Sequence, residues 1–109
     1  MLQVENMKST RTGESVADQF FITVDSTVGH IHMFQSCKTP IAFMVFTENG
    51  RYFVETSETY SQTTTKYQNA FRKKFLGDFP HYKVDNFLDW VDALSSPAKF
   101  NYLLLSERM

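Results

Sequence analysis

Cysteine is almost absent from this chain. Cys37 stands alone, so no disulfide can close within the sequence, and a reducing, cytosolic setting is the natural expectation. Neither charge is in large surplus: the formal net charge is −1, which excludes a global basic field of the kind that advertises nucleic acid. The longest apolar run, Ile41 to Phe46, falls far short of a membrane span. Met1 to Asp18 is polar and lacks the apolar stretch of a signal peptide. Only four glycines occur, and none gather into a phosphate-binding P-loop. Neither Cys-x-x-Cys nor His-Glu-x-x-His spacing is present.

What is present reads as one folded domain. The chain has 109 residues, of which 42% are apolar, enough to bury a core without a metal or cross-link. Aromatic residues make up 16%, eleven of them Phe, and large rings supply much burial per residue. Residues 1–16 are polar and are expected as a flexible arm; residues 17–109 are expected as a single α+β domain. Gln19–Val24, with Phe20, Phe21, Ile22 and Val24, reads as a strand, and in His30–Gln35 the residues Ile31, Met33 and Gln35 alternate with His30, His32 and Phe34. Ile41–Thr47 is apolar on both alternating faces: Ile41, Phe43 and Val45 on one, Ala42, Met44 and Phe46 on the other. A strand covered on both faces is usually central. Asn49-Gly50 then supplies a hairpin turn, and Arg51–Thr56 returns with Tyr52 and Val54 on one face.

Beyond the hairpin the apolar period changes from two to 3.6. Thr64, Tyr67 or Gln68, Phe71 and Phe75 form one stripe, with Ser61, Thr63 or Thr64 as the cap and Gly77 as the stop. Asp78–Val84 contains Pro80 and reads as a connection. Asp85 is placed to cap a second helix bearing Phe87, Trp90, Val91 and Leu94. Ser96-Pro97 opens a third, with Phe100, Leu103 and Leu104 inward. Strands first and helices after favour a small antiparallel sheet of three to four strands, followed by two to three helices packed on one face.

The candidate binding residues lie at the start of the first helix and along it. Ser61, Thr63, Thr64 and Lys66 bring hydroxyls and a cation to a helix N-terminus, where free N–H groups attract anions. Ser and Thr are equally what a helix start needs for capping. Arg72 and Lys73 extend the basic character along the helix, and Lys74 flanks them. That cluster suits an anionic partner, nucleic acid or an acidic protein surface, or else a solvated face complementing the helix dipole. Asp85, Asp89 and Asp92 oppose it on the second helix. His30, His32 and Cys37 are too few and wrongly spaced for zinc, and nothing specifies a nucleophile with its base. No catalytic residue, metal or cofactor is therefore expected.

Two motifs carry a family resemblance. Ser36-x-x-Thr39-Pro40-Ile41-Ala42, the Asn-Gly hairpin, and Tyr60-Ser61-x-Thr63-Thr64-x-Lys66 resemble small proteins encoded by bacteriophages and related mobile elements, a family of unknown function. The match spans roughly residues 34–76. Tyr67 stands where such proteins usually carry histidine. The resemblance implies a non-enzymatic protein in the cytoplasm of a bacterial host that inhibits a defence system, in the manner of anti-CRISPR proteins, by occluding a site. The implied partner is a host protein or ribonucleoprotein. A small nucleic-acid-binding accessory protein is the alternative.

Overall fold

The computed structural model describes residues 2–108, and side chains through residue 107. Nine elements follow one another: β1 (Leu2–Lys8), β2 (Ser15–Asp25), β3 (His30–Ser36), β4 (Thr39–Thr47), β5 (Gly50–Thr56), α1 (Gln62–Phe75), β6 (His81–Val84), α2 (Phe87–Ala93) and α3 (Pro97–Arg108). The six strands form one sheet in chain order. β1 through β5 is an antiparallel meander, whereas β6 lies parallel to β5. A parallel neighbour requires a crossover, and α1 supplies it.

This corrects the expected architecture in three respects. The sheet has six strands rather than three to four, it is mixed rather than antiparallel, and the helices cover both faces rather than one. β4 explains the last point. Phe43 and Val45 pack with Phe87, Trp90 and Phe100 from α2 and α3. Ala42 and Met44 pack on the opposite face, with Tyr67 and Phe71 of α1. A strand apolar on both sides needs two covers. Ile41 joins the α1 face instead of the Phe43 face, because the β3–β4 register shifts between Phe34 and Gln35 and the bulge turns this residue over.

The extra strands come from segments with weak signals. Leu2–Lys8, expected within an arm, pairs with β2 from Leu2↔Val24 to Asn6↔Phe20. His81–Val84, expected as a connection, is too short to display a period but pairs with Phe53–Thr56. Three local readings also change. The hairpin joins Thr47 to Gly50, so its loop residues are Glu48 and Asn49, and only Gly50 takes a positive φ, +127°. Helix α1 ends at Phe75 with Leu76 as cap, one residue before Gly77. Asn86, not Asp85, stands at the α2 cap; Asp85 instead accepts a hydrogen bond from the Ser57 hydroxyl. Ser96 does cap α3, accepting from the Lys99 N–H at 3.3 Å. Gly29 admits no side chain: a Cβ there would lie 1.8 Å from the Phe46 carbonyl oxygen.

Candidate functional site

The two motif segments meet in space. Ser61 has extended backbone and its Oγ accepts the Thr64 N–H at 3.2 Å, which satisfies one open donor of the helix start. The Ser61 hydroxyl also lies 3.1 Å from Thr64 Oγ1, and Thr64 Oγ1 lies 2.9 Å from Ser36 Oγ at the end of β3. Gln19 Nε2 completes the chain by donating to Ser36 Oγ at 3.1 Å. Gln19, Ser36 and Thr64 are all buried. Buried hydroxyls demand such partners, so this chain seats the first turn of α1 against the sheet. Ser61 and Thr64 are thus engaged in capping and docking, while Thr63 and Lys66 stay exposed.

A second polar cluster holds the other half of α1. Glu55 on β5 is fully buried. Its carboxylate accepts from Gln68 Nε2 at 2.8 Å, from Arg72 Nε at 3.0 Å and from Arg72 Nη2, and it hydrogen-bonds His81 Nε2 on β6. Burial by itself would push this carboxyl up. The hydrogen bonds from Arg72, Gln68 and His81, with the Arg72 charge, outweigh it and hold the group below its usual range. Arg72 also donates from Nη1 to Asn69 Oδ1 at 2.6 Å. Its guanidinium is therefore a fixed internal partner and not part of a free basic patch.

What remains outward on α1 is basic and unopposed along the helix. Lys66 and Lys73 lie seven residues apart on exposed positions. Residues Gln62–Phe75 include Lys66, Arg72, Lys73 and Lys74 but no acidic side chain. A shallow, largely open hollow lined by Thr59, Tyr60, Gln62, Thr65, Lys66 and Asn69 lies beside Lys66. Asp89 and Asp92 do not neutralise this face, because α2 packs on the opposite side of the sheet. Lys74 turns toward the sheet edge, its Nζ 5.1 Å from the Phe21 ring centre and 5.4 Å from that of Phe75.

The histidines occupy a different place from Cys37. His32 stacks on Phe75 with centroids 4.8 Å apart and meets His30 edge-on at 4.8 Å. Burial pushes the His32 pKa down, and the charges of His30 and Lys74 add to it. Cys37 sits in the β3–β4 turn at a positive φ of 53°, beyond the far end of β3. Six strand residues, 31–36, separate it from His30 in extended chain, roughly 20 Å. Among the described residues no three metal-binding side chains gather. The sequence reading missed the Glu55 cluster. A glutamate at an inward position of an otherwise apolar strand, opposite a helix bearing Gln68 and Arg72, was its only signal.

A family model described as a family of unknown function, DUF8033, matches residues 2–84. That span takes in β1 through β6 together with α1, and so both polar clusters. No curated protein and no solved structure matches.

Proposed function

The chain belongs to DUF8033, a family of unknown function, and we propose that it acts without catalysis, as a binding protein whose α1 face covers an anionic site on a macromolecular partner. The observation that carries this reading is the outward row of Lys66 and Lys73, on a helix with no acidic residue, beside the hollow at its first turn. Both polar clusters brace α1 from below. The surface is thus presented on a rigid element, which limits the ordering cost of binding.

The motif resemblance to phage-encoded proteins supports a host protein or ribonucleoprotein as the partner and inhibition of a defence system as the outcome. Nucleic acid is the second reading, favoured by the purely basic charge of α1. The engagement of Arg72 by Glu55 weighs against it, since few free cations then remain for phosphates.

Affinity capture from host lysate, with and without nuclease, separates the two. A partner retained after nuclease supports the protein reading; loss with nuclease supports the second. Inhibition by a binder saturates at a fixed ratio to its target. Turnover at substoichiometric amounts, with a mass change on the target that disappears in Cys37→Ser or His32→Gln, overturns the non-catalytic reading.

A further inference from the structure

The sheet has two edges of unlike character. β6 is four residues long, follows Pro80 and carries exposed His81 and Lys83. Short length and charge are the usual protections of an edge. β1 is seven residues long, and its Leu2 and Val4 are 67% and 56% exposed. Leu2 lies opposite Val24 and Val4 opposite Ile22; these in turn face Ile31 and Met33 on β3. Cross-strand partners share a face, so Leu2 and Val4 prolong the apolar face on which α2 and α3 sit. Helix α2 lies over β4 and β5, and Leu2 and Val4 stay outside its cover. Among the described residues, a strand edge with no neighbour therefore coincides with uncovered apolar side chains.

We propose that this edge is a self-association surface: a second copy docks β1 against β1, antiparallel, about a two-fold axis at Val4. A symmetric joint pairs identical segments, which restricts the registers. Centring on Glu5 sets that carboxylate opposite its own copy, and directly opposed like charges are unfavourable. Centring on Asn6 crosses the irregularity between Asn6 and Lys8 and leaves Leu2 unpaired. The Asn6 side chain is also already bonded to the Val16 carbonyl at 2.9 Å. Centring on Val4 sets Val4 against Val4, Gln3 against Glu5 and Leu2 against Asn6. It opposes no like charges and pairs Leu2 through Asn6, whereas centring on Gln3, which also brings both exposed apolar residues into the joint, pairs only Leu2 through Val4 of the described residues. Such an axis runs perpendicular to the sheet, so the two α1 helices emerge on the same side. Both lysine faces then lie on one side of the joined sheet.

A joint of this length is small, so the dimer is weak and concentration-dependent. Sedimentation equilibrium on the full chain should show reversible dimerisation, and Val4→Lys, an exposed substitution, should weaken it at least about tenfold with the circular dichroism unchanged. In a Cys37→Ser background, Val4→Cys should cross-link symmetrically under oxidation, whereas Glu5→Cys should not. A monomer up to the solubility limit overturns the proposal. So does a dimer that Val4→Lys leaves intact, or one that cross-links through Glu5→Cys in place of Val4→Cys.

Discussion

Glu55 is the residue on which the placement of α1 turns. It is a buried carboxylate whose stability depends on partners from two further elements, Gln68 and Arg72 on α1 and His81 on β6. Removing one member of a buried charged pair leaves the other uncompensated, at a cost of about 3–5 kcal/mol. Arg72→Ala is expected near the lower end of that range, because the guanidinium is partly exposed and Gln68 and His81 persist. Urea unfolding checks this. The pH dependence has a definite sign. The folded pKa of Glu55 is depressed, so its contribution is complete above the unfolded value, near 4.5, and is lost as pH falls through the lower folded value. Acid titration of the unfolding free energy should therefore steepen below about pH 4.5, and Glu55→Gln should flatten that slope. Equal slopes for both chains would remove Glu55 from this role.

At the scale of elements, β4 and α1 decide the layering. Phe43 is wholly buried between the sheet and Phe87, at a ring separation of 5.7 Å. Phe43→Ala should destabilise by about 3–5 kcal/mol, read from the shift in denaturation midpoint at constant slope. A loss under 1 kcal/mol would mean that the α2 face collapses around the gap. The β4–β5 hairpin and the inward stripes of the helices were legible because their periods run long enough to be counted: in the first stripe Thr64, Tyr67, Gln68 and Phe71 are buried and Phe75 is partly buried. β6 was not, since four residues beside a proline carry no countable period and its pairing depends on α1 returning the chain. β1 was hidden for a different reason. Its edge position leaves Gln3, Glu5 and Lys8 exposed, and a strand with little to bury reads as polar chain. The two-sided cover was visible in β4 itself. The strands-then-helices order masked it, because α1 is a crossover inside the sheet.

The candidate site was legible in its cations but not in their division of labour. Sequence spacing set Arg72 beside Lys73 as equals, whereas folding brings Glu55 under one and leaves the other in solvent. The hydroxyls divide likewise, Ser61 and Thr64 inward to the cap and to Ser36, Thr63 outward. Those separations arise from contacts across 17 to 28 residues, which no local pattern displays.

For the whole molecule, the central claim is that the outward lysines of α1 make the contact with the partner. The direct test is the affinity of the captured, purified partner for the wild-type chain and for Lys66→Glu/Lys73→Glu, measured across a range of salt concentrations with the fold of each verified. The account predicts weaker binding by the variant, most marked at low salt through slower association, and a flatter salt dependence, by about one unit of log–log slope per lysine if phosphates are the ligand. Affinity and salt slope identical to wild type in a correctly folded variant would contradict it and place the contact elsewhere on the molecule.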